Sequence, residues 1–385
     1  MPAGAARENA RGVGRMRVVV AMSGGVDSSV AAALLKQAGY QVIGVTMEIW
    51  PRDLGGEAAR GCCGLAAVES ARKVAHKLGI PHYVVNLREV FARYVIADFC
   101  EEYARGRTPN PCVRCNRYVK FDALLARARA LEAGYLATGH YARIARDEGS
   151  GRWLLKRGVD GRKDQSYFLY TLTQEQLQHI LFPLGKLTKE RVREIARELE
   201  LPVADRAESQ EVCFVPDNDY HRFLRSYMPG GLREGPIVDQ EGRVLGTHRG
   251  IAFYTVGQRR GLGVAAGKPL YVLAIDERRN AVVVGPESAL YRPALVAGDL
   301  NWIAVETLDG PRRVQARIRY RHREAPATVT PYPGDRVLVR FATPQRAITP
   351  GQAVVFYDGE VVVGGGTILH ACDAVEKGKY EDDDE

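Results

Sequence analysis

Residues 16–29 read MRVVVAMSGGVDSS, and this stretch decides the fold of the first half of the chain. Its β-branched run predicts a buried strand, and Asp27 with the serines around it is typical of the first turn of a helix. Two glycines between strand and helix allow a tight turn that presents backbone N–H groups, to which Ser23, Ser28 and Ser29 would add hydroxyl donors. Since such a turn at a helix N-terminus binds phosphate, residues 23–29, called the phosphate loop below, are predicted to hold a phosphorylated ligand.

The phosphate loop differs from a Walker A loop. No Lys follows Gly in a GK[ST] arrangement anywhere in the chain, so transfer of a γ-phosphoryl group is disfavoured. The competing interpretation is a glycine-rich turn with a simple Asp/Ser helix cap. The strand before the loop and the helix after it favour the phosphate site.

Strand and helix patterns alternate from residue 16 to about residue 201. The segments predicted as strands are MRVVVAM (16–22), QVIGVTM (41–47), HYVVNL (82–87) and YLATGH (135–140). Helical patterns separate them, and the one after Ala66 places Val68, Ala71, Val74 and Ala75 on one apolar face. The alternation predicts an α/β domain built on a parallel sheet.

After about residue 229 glycine and proline become dense and the helical periodicity ends. Short β-branched segments joined by turns predict an all-β half, in which YDGE (357–360) between two apolar runs indicates a hairpin. The expected organisation is a disordered leader (1–15), the α/β catalytic domain (16–225), a small central β-rich domain (226–290), a C-terminal β-barrel (291–372) and an acidic disordered tail (373–385).

Composition is that of a folded protein without membrane spans. Of 385 residues, 46% are hydrophobic and 26% are charged, which excludes a globally disordered or fibrous chain. The apolar runs are far shorter than the roughly 18 residues that a spanning helix needs. The net charge of +8 fits a polyanionic partner or simply a basic soluble protein. Without an apolar segment, residues 1–15 are not a secretory signal, and a cytoplasmic location is expected.

Seven cysteines, an odd number, point to a reducing compartment and to chemical or metal-related roles. Cys112 and Cys115 stand three apart in a turn stiffened by two prolines. From the residues alone they are half of a zinc site, a redox pair, or a nucleophile with a neighbour. Cys62 and Cys63 would complete a zinc site, but adjacent cysteines chelate one tetrahedral metal poorly. Cys213 taken alone is typical of a buried apolar residue.

Eight motifs together resemble the tRNA-specific 2-thiouridylase family. They are SGGVDSS (23–29), TPNPCVRCN (108–116), ATGHYAR (137–143), KDQSYFL (163–169), SQEVCF (209–214), GQRRGLG (257–263), RIRYRH (317–322) and TPGQAVVFY (349–357). They occur in the family's order and cover about residues 16–370. SGGVDSS resembles the PP-loop of ATP pyrophosphatases. The resemblance implies an adenine nucleotide alpha hydrolase-like catalytic domain.

The resemblance also implies an activity. In this family ATP adenylates the C2 oxygen of the wobble uridine in tRNA, and sulfur from a cysteine persulfide replaces that oxygen, giving 2-thiouridine, AMP and pyrophosphate. Adenylation suits this chemistry because it converts a poor leaving group into a good one. ATP and Mg²⁺ are therefore expected, with three partners: a tRNA of the Lys, Glu or Gln acceptors, a cysteine desulfurase or sulfur-relay protein, and a cellular thiol reductant.

Roles for individual residues follow from the same resemblance. Cys213 would carry the persulfide, and Cys115 would release the sulfur and leave a transient Cys115–Cys213 disulfide, with Arg114 and Arg117 favouring the thiolates. The residues matching ATP contacts are Ala21, Met22, Ser23, Gly24, Gly25, Val26, Asp27, Ser28, Met47 and Gly139, of which Asp27 would position Mg²⁺ or order the loop. The residues matching tRNA contacts are Asn110, Pro111, Cys112, His140, Lys163, Asp164, Gln165, Arg319, Tyr320 and Gln352. Lys163 and Arg319 would neutralise phosphate, and Tyr320 or His140 would stack on or hydrogen-bond an extruded base.

One position departs from the family. Many members have Asp where this chain has Cys112, so a [4Fe–4S] cluster held by Cys112, Cys115 and Cys213 is the alternative route to the same product. Two other functions remain open, a small-molecule synthetase with the same loop and a non-catalytic tRNA-binding protein. The pair Cys62 and Cys63 has no assigned role.

Overall fold

A computed structural model describes residues 16–50, 65–206, 212–215, 219–228, 232–265 and 267–373. The leader, Cys62, Cys63, the start of the SQEVCF motif and the tail after residue 373 lie outside the described residues. Contacts divide the chain into two compact units. The first comprises the residues up to 98 with 111–220 and 360–362, and the second comprises 99–110, 221–359 and the residues from 363.

The first unit is built on a five-stranded parallel sheet in the order β3-β2-β1-β4-β7. Its strands are β1 (Arg17–Ala21), β2 (Gln41–Glu48), β3 (His82–Asn86), β4 (Tyr135–Ala137) and β7 (Ile180–Leu181). The predicted α/β fold is confirmed. The run Val18, Val19 and Val20 is fully buried because β1 is the central strand. Strand order reverses beside β1, and ligands of such sheets bind at the carboxyl ends of the strands at that point, where the phosphate loop begins.

Helices cover this sheet. Their ranges are Val26–Gln37, called the loop helix below, Leu65–Leu78, 88–104, 111–130, Gln174–Leu177 and Lys189–Glu198. The apolar face predicted for Leu65–Leu78 is buried, with Ala71 and Val74 at 0% exposure. The two helices written with numbers alone each contain a π-helical stretch, Ala92–Ile96 and Cys115–Leu124. None of the helices in the described ranges is long and apolar enough to cross a bilayer.

An antiparallel hairpin of β5 (Ala142–Arg146) and β6 (Trp153–Arg157) completes the first unit. In β6, Lys156 pairs with Val361 in an antiparallel arrangement. Glu360 accepts from Arg143 at 2.6 Å and from Lys156 at 2.9 Å, so a short segment from late in the chain is tied to this hairpin by charge as well as by backbone pairing.

The second unit begins with a small β-rich part. One helix, Tyr220–Tyr227, precedes a four-stranded sheet in the order β10-β11-β8-β9. Its strands are β8 (Gly235–Val238), β9 (Val244–His248), β10 (Tyr271–Asp276) and β11 (Ala281–Gly285). The predicted small central β-rich domain is confirmed as a fold.

Six further strands form a closed barrel. They are β12 (Tyr291–Trp302), β13 (Arg312–Arg317), β14 (Ala325–Tyr332), β15 (Arg336–Arg346), β16 (Ala353–Asp358) and β17 (Val361–Cys372), in the order β12-β15-β14-β13-β16-β17. Pairing of β12 with β17 closes the ring. The interior is apolar, with Val339, Val354 and Phe356 at 0% exposure. The predicted barrel and its YDGE turn between β16 and β17 are confirmed, and Gly359 adopts φ +54° in that turn.

Candidate functional site

The phosphate loop connects the end of β1 to the loop helix, and its backbone conformation is tightly restricted. Gly24 has φ +71°, which favours glycine, and a Cβ there would lie 2.4 Å from the carbonyl oxygen of Ala67. Gly25 is the N-cap residue of the loop helix and provides no side-chain cap. The first-turn N–H groups are therefore oriented by the fold for an external acceptor, as an anion site at a helix N-terminus requires.

Serine hydroxyls stabilise the loop from within. Ser28 Oγ accepts from the backbone N–H of Ser23 and donates to the Gly25 carbonyl, both at 3.2 Å. Ser29 Oγ donates to the same carbonyl at 2.8 Å and is fully buried. The prediction that Ser29 offers its hydroxyl to the ligand is therefore wrong, since that hydroxyl completes the first turn of the helix.

Gly139 brings the end of β4 against the loop helix. A Cβ at this position would lie 2.8 Å from the backbone nitrogen of Ser28 and 3.0 Å from Cβ of Asp27. Met22 and Met47, also predicted as ATP contacts, have their side chains largely in the core, at 1% and 8% exposure. The backbone N–H of Met22 donates to the carbonyl of Val45 and its carbonyl accepts from Thr46 Oγ1, both at 2.8 Å, so contact of either methionine with ATP stays a prediction.

Asp27 has partners that sequence patterns did not indicate. Its carboxylate accepts from Lys189 Nζ at 2.7 and 2.8 Å and from the hydroxyl of Tyr141 at 2.8 Å. Of the two roles expected for Asp27, this arrangement corresponds to ordering the loop. A lysine in the first turn of a polar helix is typical of a solvent-exposed residue, which is why Lys189 was missed.

Arg206 is a second residue that the sequence did not indicate. Its Nη1 donates to the carbonyl of Gly24 at 2.8 Å and to Ser70 Oγ at 3.0 Å. It thus joins the phosphate loop to the helix Leu65–Leu78. In sequence it lies seven residues before Cys213.

The cysteines predicted to act on sulfur belong to the first unit. Cys112, in the single helical turn Pro111–Arg114, is exposed, whereas Cys115 and Cys213 are half-buried. The ring of Phe214 packs edge-on against Phe91 with 5.7 Å between centroids, which anchors the segment that carries Cys213.

The two arginines expected to favour thiolates face other groups. Arg114 Nε forms an ion pair with Asp98 at 2.9 Å, and the Arg117 guanidinium lies over the ring of Tyr118, 5.2 Å from its centroid. The positive charge of Arg114 is therefore largely compensated by Asp98. The effect of the two arginines on the thiols stays a prediction.

Metal binding by the cysteines finds no support in the geometry. Among the residues that the structure describes, no group of three or more His, Cys, Asp or Glu side chains is arranged to hold a metal ion. The [4Fe–4S] alternative for Cys112, Cys115 and Cys213 therefore stays a prediction. The proposed zinc partners Cys62 and Cys63 lie outside the described residues.

His140 is a core residue. It is 9% exposed, its Nδ1 lies 2.6 Å from Thr138 Oγ1, and Phe121 and Phe182 pack against its ring at 5.8 and 5.7 Å between centroids. Burial, with a smaller contribution from Lys120, lowers the pKa of His140 well below its usual value. The prediction that this ring stacks on an extruded base does not fit the structure, because aromatic side chains already cover it.

The KDQSYFL segment supports the backbone at Tyr141 and Gly158. Asp164, buried at 3% exposure, accepts from the backbone N–H groups of Gly158 and Ser166, each at 3.1 Å. Gln165 Oε1 accepts from the backbone N–H of Tyr141 at 3.0 Å, and Lys163 is half-buried. Asp164 and Gln165 therefore have structural roles, and their contact with tRNA stays a prediction.

In the second unit, Gln352 contacts the turn that precedes Cys112 and Cys115 in the sequence. Its Nε2 donates to the carbonyls of Thr108 and Pro109 at 3.1 and 3.0 Å, directly before Asn110. Arg319 Nη2 donates to the carbonyl of Arg346 at 3.1 Å, and Tyr320 is half-buried.

The GQRRGLG segment lines a cavity within the second unit. Arg259 and Lys268 bring two positive charges to it.

Comparison with known families follows the same division of the chain. Residues 16–217 match the tRNA methyl transferase HUP domain, 221–286 the tRNA methyl transferase PRC-barrel domain and 292–368 the aminomethyltransferase beta-barrel domain.

Relatives compared by sequence share far more identical residues with this chain than the solved structures do. The tRNA-specific 2-thiouridylase MnmA of Moorella thermoacetica is 59% identical over 353 residues, 91% of this chain and 98% of that one. Its namesake from Heliobacterium modesticaldum is 58% identical, covering 92% and 93%. A 4-thiouridine synthetase–RNA complex with bound ATP is 18% identical over 56% of this chain and 51% of that chain, with a TM-score of 0.35. The U34-tRNA thiolase NcsA from Methanococcus maripaludis with its [4Fe-4S] cluster is 21% identical over 59% and 72%, also with a TM-score of 0.35. Matched at more than half identity along nine tenths of its length, the chain belongs to the tRNA-specific 2-thiouridylase family.

Proposed function

We propose that this protein is an ATP-dependent tRNA 2-thiouridylase. The observation that carries the proposal is the phosphate loop, whose uncapped helix N-terminus lies at the switch point of the parallel sheet in the same unit as Cys115 and Cys213. A non-catalytic tRNA-binding protein has no need of a preorganised phosphate site. A synthetase of small molecules gives no reason for the two thiols.

In the first step the uridine C2 oxygen attacks the α-phosphorus of ATP, and pyrophosphate leaves. The first-turn N–H groups of the loop helix would bind the departing phosphates, since these donors are fixed in place before the reaction begins. Mg²⁺ supplies charge neutralisation on the triphosphate when bound. Asp27 is held by Lys189, so it orders the loop.

In the second step the terminal sulfur of a Cys213 persulfide attacks C2, and AMP leaves with the activated oxygen. The thiolate of Cys115 then attacks Sγ of Cys213, which breaks the bond between that atom and the transferred sulfur. The products are 2-thiouridine and a Cys115–Cys213 disulfide, and two electrons from a thiol reductant restore both thiols. The exposed Cys112 is not needed in this scheme.

The sequence family implies the partners. The substrate would be a cytoplasmic tRNA with a wobble uridine, from the Lys, Glu or Gln acceptors, and a cysteine desulfurase or relay protein would load Cys213. The positive net charge of +8 supports the tRNA part, because a polyanion is attracted to a basic surface.

The test is thiolation of an unmodified tRNA transcript with a desulfurase, ATP and Mg²⁺, measuring 2-thiouridine by mass spectrometry and pyrophosphate in parallel. Cys213→Ser is expected to abolish 2-thiouridine while tRNA-dependent pyrophosphate release persists. Cys115→Ser is expected to lose turnover.

Cys100→Ser is the matched control, since burial and then Glu101 raise the pKa of Cys100 to about 11 and leave it an unreactive thiol. Thiolation by the wild-type protein from free sulfide without a desulfurase, lost in Cys112→Ala and accompanied by bound iron, would contradict the persulfide route. Pyrophosphate release without tRNA would contradict the tRNA substrate.

A further inference from the structure

Asp27 and Lys189 form an ion pair at the start of the loop helix. Lys189 Nζ lies 2.7 and 2.8 Å from the two carboxylate oxygens, and the exposed fractions of the side chains are 7% for Lys189 and 33% for Asp27. An ammonium group this far from water persists only with a close partner. The pair is therefore a fixed part of the site.

Lys189 is held by its backbone as well as by its side chain. It is the first residue of the helix Lys189–Glu198, whose N-cap Thr188 accepts from the backbone N–H of Arg191. The backbone N–H of Lys189 donates to the buried carboxylate of Asp160 at 3.1 Å. Movement of Nζ toward another acceptor would have to break the contact with Asp27.

The charge of Asp27 lies where ATP must bind. The carboxylate belongs to the first turn of the loop helix, whose N–H groups form the phosphate site, and Tyr141 donates a further hydrogen bond to it at 2.8 Å. A carboxylate without a counter-ion would repel a triphosphate at the same helix terminus. Lys189 cancels that charge.

We infer that Lys189 is a positioning residue that keeps the phosphate loop able to bind ATP by neutralising Asp27. It acts through the carboxylate and does not itself touch the nucleotide. This inference rests on the proposed use of ATP by the loop.

The experiment compares ATP affinity and steady-state kinetics of four variants with the wild-type protein. Lys189→Met is expected to raise both the Kd and the KM for ATP by about tenfold or more, with kcat at saturating ATP changed by less than about threefold. Lys189→Arg keeps the charge and is expected to bind ATP like the wild type.

The decisive variant is Asp27→Asn with Lys189→Met, which removes both charges. Its Kd for ATP is expected to return to within about threefold of the wild-type value, as a double-mutant cycle requires when the two residues act on one another. Asp27→Asn alone is expected to weaken ATP binding less than Lys189→Met does, because it leaves no unpaired negative charge beside the phosphates.

Three results would overturn the inference. A double variant as weak as Lys189→Met would mean that Lys189 contacts the nucleotide. Binding of ATP by Asp27→Asn alone as weak as by Lys189→Met would mean that the carboxylate itself serves ATP or its Mg²⁺. Unchanged ATP binding in Lys189→Met would mean that the pair has no effect on affinity.

Lys77→Met is the matched control, since Lys77 also pairs with a carboxylate, Glu200 at 3.2 Å, but is 39% exposed and lies outside the loop. Thermal unfolding of every variant separates loss of fold from loss of affinity, and the double variant and Lys189→Arg keep the test decisive where Lys189→Met unfolds. If the wild-type protein does not bind ATP, the proposed function fails rather than this inference.

Discussion

Gly139 shows at the scale of one residue why a motif position is a glycine. The sequence motif predicted it as an ATP contact, and the structure places it against the backbone of Ser28 and Asp27 with no room for a Cβ atom. Backbone atoms in a helix cannot move aside as the end of a flexible side chain can. The fit of β4 against the loop helix therefore depends on this one missing atom.

Gly139→Ala is expected to raise the KM for ATP by about tenfold and to lower the free energy of unfolding by about 1–3 kcal/mol, as overpacking does. The reason is the 2.8 Å approach of the new Cβ to the nitrogen of Ser28, which would push the first turn of the loop helix out of place. Kinetics at varied ATP and urea unfolding measure the two effects.

Gly149→Ala is the control for this substitution, since its Cβ would meet only a side-chain oxygen of Asp147 at 3.7 Å. An unchanged KM for ATP in Gly139→Ala would show that the contact between β4 and the loop helix does not shape the nucleotide site.

Sequence patterns did not identify residues that support the site through contacts with other residues. Lys189 begins a polar helix and Arg206 follows a turn, and both settings are typical of solvent-exposed side chains. Their contacts with Asp27 and Gly24 join positions 162 and 182 residues apart, and no local pattern encodes such a distance. The same holds for Gln352, which matched a tRNA contact but donates to the turn at Thr108 and Pro109.

At the scale of elements, His140 is where three segments meet. Phe121 comes from a π-helical stretch, Phe182 follows β7, and His140 follows β4. The ring is neutral in the folded protein because burial lowers its pKa. In the unfolded chain it regains an ordinary pKa near 6.5 and takes up a proton as the pH falls.

Acid is therefore expected to destabilise this junction. The free energy of unfolding is unaffected by titration of this side chain above pH 6.5, the pKa of histidine in the unfolded chain. It falls as the pH drops from 6.5 toward the lower pKa of His140 in the folded protein, by at most about 1.4 kcal/mol per pH unit. Urea unfolding at pH 7.5 and 5.5 measures the loss.

His140→Gln is expected to be less stable at pH 7.5 but to lose less stability on going to pH 5.5 than the wild type does. His82, whose pKa is also lowered by burial and by Arg72, is unchanged in both proteins and cancels in the comparison. Equal losses in the two proteins would show that His140 takes up its proton in the folded state.

Strands were easier to predict than the details of helices. The β-branched run of β1 and its neighbours is continuous because both faces of a parallel sheet are covered. Such runs therefore predict the buried strands of the sheet directly. The π-helical stretches Ala92–Ile96 and Cys115–Leu124 left no such signal, since they differ from α-helix in hydrogen bonding and not in composition. The hairpin of β5 and β6 was missed because polar residues interrupt its short strands.

At the scale of the whole molecule, charge sets the response to salt. The net charge of +8 is expected to attract tRNA through its phosphates, and binding should weaken as counterions compete. Raising salt from about 50 to about 200 mM should increase the KM for tRNA by about tenfold or more, while the KM for ATP changes by less than about threefold.

Steady-state kinetics with each substrate in turn measure how each KM depends on the salt concentration. ATP serves as the internal control because the phosphate loop is proposed to bind it mainly through backbone N–H groups. Equal slopes for both substrates would show that tRNA binds without neutralisation of its phosphates.

The closure of the barrel by its last strand has a consequence for biosynthesis. β12 pairs with β17, and the residues joined include Leu295 with Ala371, so the ring cannot close until nearly all of the chain has left the ribosome. Until then the nascent barrel has two open strand edges whose backbone groups lack partners. Chaperone dependence during translation should therefore concentrate in the interval between synthesis of β12 and release of β17, and slowing translation there should reduce the yield of folded enzyme.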